Sequence, residues 1–187
     1  MGRWQPDAVG RLQQAALELY GERGFEPTTV ADIAERAGLT ERTFFRYFAD
    51  KREVLFLGSE DLPVLFAKAV AEAPDSASPL DAVAAALAAA SDFFEDRRAH
   101  ARKRQAVIAA NSSLQERELI KMASLAAAVA EALRGRGVGE PAAMLTAEAG
   151  IAVFKVGFEL WVDDANDRTF DQVMRDAMAD LKATLTG

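Results

Sequence analysis

Residues 37–51, AGLTERTFFRYFADK, interleave three phenylalanines and a tyrosine with charged and hydroxyl side chains. The chemistry on offer is recognition. Arg42 and Arg46 stand four residues apart, and each guanidinium is a planar fork suited to two parallel hydrogen bonds with one polar edge. Covalent chemistry has no comparable set. His100, the sole histidine, sits in an arginine-rich segment without a nucleophile-plus-acid arrangement. Asp163, Asp164, Asp167 and Asp171 lack the glycine and terminal glutamate of a calcium loop, so they read as a helix end, a loop and the favourable acid of the next helix start. The chain has no cysteine, which excludes disulfides and thiol or cysteine–zinc sites. The expectation is a non-enzyme with no metal and no cofactor.

The recognition residues need elements to hold them. On a helix over 41–48, side chains turn by about 100° per residue, so Phe44 and Phe48 share an anchoring face while Arg42 and Arg46 point the opposite way. Thr43 and Tyr47 lie on one shoulder, Glu41 and Phe45 on the other, and Thr40 is placed as the N-cap. Just upstream, TTVADIAERAG predicts a second short helix. Thr29 is its N-cap with Asp32 three residues on, and Val30, Ile33, Ala34 and Ala37 form the inner face. Gly38 supplies the tight turn between the two. Helix, glycine-containing turn, helix with a polar outer face is the helix-turn-helix, whose second helix enters the DNA major groove.

The rest of the chain is helical by the same signals. Val9, Leu12, Ala16, Leu19 and Tyr20 keep a helical rhythm up to Gly24, alanine is abundant, and no apolar/polar alternation marks a strand. Breaks at 25–29, 37–39, 73–79, 135–141 and 163–168 give about nine helices, an all-α class with the short helices first. The expected division is a helix-turn-helix domain at 1–50 and a larger helical regulatory and dimerisation domain at 51–187. Net charge is −7, from 22 Lys+Arg against 29 Asp+Glu, which argues against a general polycation. The start MGRWQPDAVGR carries no apolar signal region, and the Ala/Leu run near 80–90 is too short to span a bilayer. The expectation is a cytoplasmic protein with no membrane partner.

The stretch GFEPTTVADIAERAGLTERTFFRYFADKREVLF, with the preceding DAVGRLQQAALELYGERGF, resembles the DNA-binding region of the tetracycline-repressor (TetR) family of bacterial transcription regulators. The T-T-V-x-D-I-A run, the A-G-L-T turn, the aromatic-x-Y-F pair and the D-K-x-E-x-L that follows occur together at family spacing over roughly residues 7–56. The resemblance implies a three-helix DNA-binding unit, a helical body that dimerises through its last two helices, and a small-molecule inducer. By it, Thr29, Thr40, Thr43, Tyr47 and Lys51 fall where phosphates are contacted, and Glu41, Arg42 and Arg46 where base edges are read. Phe45 departs from the family's frequent tyrosine, which removes a phosphate-binding hydroxyl and leaves apolar contact with a thymine methyl. Residues 1–56 hold eight Lys+Arg and nine Asp+Glu. DNA affinity therefore rests on a few placed contacts, with modest salt dependence per half-site.

In the second part, a helix from Lys51 is expected to kink or break at Pro63 near Asp61, and Ser78–Pro79 to begin another helix. A long helix from Ser112 carries Met122, Leu125, Val129 and Leu133 inward and stops at Gly135 or Gly137. Segment 141–162 has only Glu148, Lys155 and Glu159 as charges, all on one stripe, so most of its circumference calls for burial, part of it against a second subunit. The final helix is amphipathic through Phe170, Val173, Met174, Met178, Leu181 and Leu185. Segment 97–115 holds five Lys+Arg and no acid. It is either a solvated basic face or a cationic rim, with Arg104 and Arg102 the inward candidates. The stretch VIAANSSLQERELIKMASLAAAVAEAL is similar to the C-terminal domain of mycofactocin-type regulators, which respond to acyl-coenzyme A. That resemblance implies an effector site of Phe93, Phe94, Phe154, Phe158, Trp161, Met122, Arg102 and Arg104, although such aromatics are more often plain core. The resulting expectation is a homodimeric, ligand-responsive repressor on a palindromic double-stranded operator. The alternative is a helical adaptor that binds protein and not DNA.

Overall fold

The computed structural model describes residues 7–186, apart from the side chains of Glu95 and Thr186. Among the described residues the regular structure is entirely helical, with nine α-helices longer than one turn. The chain forms two compact units, one of residues up to 57 together with 103–118, the other of residues 58–102 together with 119 onward.

The first unit contains α1 (Ala8–Arg23), α2 (Val30–Arg36), α3 (Glu41–Tyr47) and a 3-10 turn, Glu53–Phe56. α1 ends where Gly24 takes φ 88°, a conformation that favours glycine, and its N–H reaches the Tyr20 carbonyl at 3.0 Å. Leu12, Leu19, Ile33, Phe44, Val54 and Phe56 fill the core, and Ile108 and Leu114 complete it from far along the chain. A continuous helix from Lys51 is not formed. The consecutive apolar residues Val54, Leu55 and Phe56 are all buried in the tighter 3-10 turn, and α4 starts afresh at Asp61. Pro63 sits in the first turn of α4, where its missing N–H has no intrahelical partner to lose.

The second unit contains α4 (Asp61–Glu72), α5 (Pro79–Ala89), the single turn α6 (Ser91–Phe94), α9 (Ala142–Val162) and α10 (Phe170–Thr186). α7 (Arg98–Ala109) and α8 (Ser112–Gly135) each contribute residues to both units. Ser78 caps α5 by accepting from Asp81 N at 3.2 Å, with Pro79 at the first helical position. Leu125, Val129 and Leu133 of α8 are buried as their spacing predicts, with Met122 packed at the edge of the same core.

α9 packs on both α5 and α10, and two glycines permit that closeness. A Cβ on Gly150 would fall 2.3 Å from Val83 Cγ1, and one on Gly157 would fall 2.8 Å from Met174 Sδ. The two should respond differently to alanine. Val83 is buried and β-branched, so it has no other rotamer to retreat into. Met174 ends in a flexible thioether that yields. Gly150→Ala should therefore lose about 1–3 kcal/mol by overpacking. Gly157→Ala should stay within about 1 kcal/mol of the parent, its strain offset by the helix propensity gained. Urea titrations of the two variants measure the difference.

Candidate nucleic-acid interface

The Thr29 hydroxyl accepts from Asp32 N at 3.1 Å while the Asp32 carboxylate accepts from Thr29 N at 2.8 Å, the complete reciprocal cap expected for α2. The Thr29 hydroxyl also donates to the Asp32 carboxylate at 2.6 Å, and this bond first, then the one from Thr29 N, holds the Asp32 carboxyl below its ordinary range. The turn after α2 closes with Leu39 N on the Ala34 carbonyl at 2.8 Å and Gly38 at φ 64°. Thr40 then caps α3, accepting from Thr43 N at 3.2 Å.

α3 divides as its spacing predicts. Phe44 is fully buried and Phe48 nearly so, with ring centroids 5.4 Å apart. Glu41, Arg42, Phe45, Arg46 and Tyr47 are exposed, Phe45 at 55%. The Arg46 guanidinium lies 4.7 Å over the Tyr47 ring and donates to its hydroxyl at 2.9 Å, so the two side chains form one surface feature. Much of the unit's acidity is neutralised on α1 and α2. Arg36 grips the Glu22 carboxylate at 2.9 and 3.1 Å and meets Glu18 at 3.4 Å, which holds the Glu22 carboxyl below its ordinary range. Glu18, Glu22 and Asp32 are therefore engaged by Arg36 and Arg23, and the outer face of α3 keeps its arginines.

Two residues brace this arrangement from a distance. Arg11 of α1, which periodicity does not single out, donates to the Ala37 and Gly38 carbonyls and so holds the turn between α2 and α3. Lys51, expected at a phosphate, donates to the carbonyls of Phe25, Glu26 and Thr28.

Among the residues expected around an effector, the aromatics come together. Phe94 is a hub with ring centroids 4.9 Å from Phe93, 5.6 Å from Phe158, 5.9 Å from Trp161 and 6.0 Å from Phe154. Phe170, read from sequence only as a core residue of the last helix, stacks on it at 4.8 Å. Met122 packs on the same core. Arg102 donates through Nε to the Val162 carbonyl at 2.6 Å and pairs with the exposed carboxylate of Asp164. Arg104 is elsewhere, in the first unit. It donates to the Leu55 carbonyl at 2.6 Å and to Glu118 at 3.1 Å, over the Phe56 ring. Its burial lowers the guanidinium's pKa, against the opposing pull of Glu118.

Residues 12–56 match the family described as bacterial regulatory proteins, tetR family, and residues 77–186 match the MftR C-terminal domain. MftR of Mycobacterium tuberculosis, whose name refers to regulation of mycofactocin biosynthesis, is 29% identical over 170 residues, 88% of this chain and 84% of that one. TcmR of Streptomyces glaucescens, named as an HTH-type transcriptional regulator, is 39% identical over 79 residues, 42% of this chain and 35% of that one. The solved structure of FadR from Bacillus subtilis, in complex with stearoyl-CoA, has the same fold, with a TM-score of 0.63 over 92% of this chain and 96% of that one at 16% identity. By these matches and the helix-turn-helix they cover, this chain belongs to the tetR family of bacterial regulatory proteins and is a transcriptional regulator with an MftR-type C-terminal domain.

Proposed function

We propose that the chain is a repressor that binds a palindromic operator as a homodimer and is released by an amphiphilic anion. The observation that carries DNA reading is the exposed face of α3, with Arg42 and Arg46 opposite the buried Phe44 and Phe48 and with Glu41 and Phe45 exposed on its shoulder. Thr29, Thr40, Thr43 and Tyr47 flank it as phosphate contacts. Selecting bound fragments from a random duplex pool with purified protein would identify the operator. Arg42→Ala or Arg46→Ala should then cost about 1–3 kcal/mol and relax the preference at one base pair. If both variants keep the parent affinity and base preference, the assigned groove-facing surface is wrong.

Dimerisation is supported by α9. Leu145, Val156 and Leu160 are 66%, 54% and 45% exposed, and with Ala152 they form one apolar stripe flanked by Glu148, Lys155 and Glu159. A self-complementary patch of this kind suits a two-fold interface, which pairs two reading helices with two half-sites. Val156→Arg should yield monomer by sedimentation at micromolar concentration and lose the operator. Arginine at Met178 is a poorer probe, because Met178 is buried in the unit's own core.

The effector reading rests on the aromatic cluster and the cations beside it. Arg97 lies 4.6 Å over the Phe93 ring, and Arg102 is held at the end of α9 beside Asp164, which an anionic head group would replace. An apolar tail would part the rings around Phe94. Long-chain acyl-coenzyme A is the first candidate, in line with the ligand in the FadR structure. Trp161 emission tests this in a Trp4→Phe protein, Trp4 lying outside the described residues. A saturable change with acyl-coenzyme A and none with a cationic dye is expected, weakening as salt rises. A response to the dye alone would overturn the charge argument.

A further inference from the structure

We propose that Lys51 is a positioning residue for operator binding, one that locks the loop leading into α2 and does not contact phosphate. An ammonium has three N–H donors. Here all three are spent on main-chain carbonyls, those of Phe25 at 2.9 Å, Glu26 at 3.0 Å and Thr28 at 3.0 Å. Nζ also stands 4.3 Å from the centroid of the Phe25 ring, a cation–π contact that adds to the same loop. A phosphate oxygen would have to displace one of these carbonyls from the ammonium.

The loop so held is the one that sets the start of α2. Thr28 is completely buried, and its hydroxyl donates to the Gly24 carbonyl at 2.7 Å, while the next residue, Thr29, is the N-cap of α2. The other end of Lys51 is fixed as well, since its carbonyl accepts from the Tyr20 hydroxyl at 2.6 Å. Burial of Tyr20, with the Asp50 charge adding to it, raises the phenol's pKa and keeps the hydroxyl a donor. Lys51 therefore ties together the end of α1, the loop before α2 and the segment after α3. α2 and α3 have seven residues each, too few for their own hydrogen bonds to hold them in place. Their placement depends on ties of this kind.

The inference rests on the reading of α2 and α3 as the DNA-binding head, and the experiment separates the two. Wild-type protein is first used to select an operator. If it selects none, the reading of the head fails, and the proposal with it. If it does, operator affinity is measured against salt for Lys51→Met and Lys51→Arg, below the unfolding midpoint of every variant. A lost phosphate contact would lower the slope of log affinity against log salt by about 0.9. Loss of the lock should instead weaken operator binding by about tenfold or more at an unchanged slope, the size expected when a charge-assisted hydrogen bond is lost. Backbone amides in residues 25–32 should then exchange faster.

Lys51→Arg decides the matter if Lys51→Met does not fold. Arginine keeps the charge, but its planar fork does not reach three carbonyls gathered round one point. The lock predicts weak binding for this variant, whereas a phosphate contact predicts near-parental binding. Near-parental operator affinity in Lys51→Arg, parental affinity in folded Lys51→Met, or a slope reduced by one contact would each overturn the proposal.

Discussion

Phe94→Ala is expected to lower the unfolding free energy by about 3–5 kcal/mol, at the upper end for a buried aromatic. The size follows from how the hole would be walled. Phe94 is 8% exposed and touches five other rings, carried on α6, α9 and α10. No single helix moves in to fill a space bounded on three sides by different helices, so most of the cavity stays open. The stacked neighbour Phe170 loses most, because its ring lies only 24° from parallel with that of Phe94. Denaturant titration followed by Trp161 emission reads the loss directly, since that indole is 5.9 Å from Phe94. An apolar cavity also takes up benzene-sized solutes. Added benzene should restore part of the lost stability in the variant and leave the parent unchanged. A loss under about 1 kcal/mol would mean that the cluster closes over the gap.

Phe44→Ala should be as costly, about 3–5 kcal/mol, but in the first unit. Phe44 is fully buried and meets the rings of Phe45 at 5.5 Å and Phe48 at 5.4 Å. Within its seven residues α3 has no other buried side chain, so this one substitution leaves only Phe48, its C-cap, to fasten it. Operator binding should be lost at temperatures where Trp161 emission is still that of the folded protein. Its neighbour provides the control. Phe45 is more than half exposed, and Phe45→Ala should change stability by no more than about 0.5 kcal/mol while altering preference at thymine-containing positions. Gel shifts and thermal melts on the two variants separate anchoring from reading. Equal loss of stability in both would contradict the division of α3 into an inner and an outer face.

The helix-turn-helix was legible because its determinants are local. The Thr29–Asp32 cap, the Thr40 cap, the positive φ at Gly38 and the i, i+4 pair Phe44–Phe48 all act within one or two turns. The fate of the basic run was not. Arg98 reaches the carbonyls of Asp163 and Asn166, Arg102 that of Val162, and Arg104 that of Leu55, all partners distant along the chain. Sequence proximity made these charges look like one patch, whereas tertiary packing uses them singly as donors to main-chain oxygen. Lys51 is the same kind of case. Segment 141–162 was readable in part. Its need for burial is met inward by Ile151, Phe154 and Trp161, while Leu145, Val156 and Leu160 face out. Which apolar residues turn inward is decided by the positions of Gly150 and Gly157 against Val83 and Met174, contacts that periodicity does not encode.

Ile108 and Leu114 are almost wholly buried within the same core as Leu12, Ile33 and Phe44, although residues 58–102 intervene. Order of synthesis therefore matters. α1, α2 and α3 leave the ribosome ahead of Ile108 and Leu114 and lack both until the chain has grown past residue 118, the last of the first unit. Until then the core that holds Phe44 and Phe56 is incomplete, and such transiently exposed apolar surface is what chaperones and aggregation compete for. A fragment cut after residue 57 would keep every exposed side chain of α3 and still be an unfinished fold, so grafting this unit onto another protein requires carrying residues 103–118 with it.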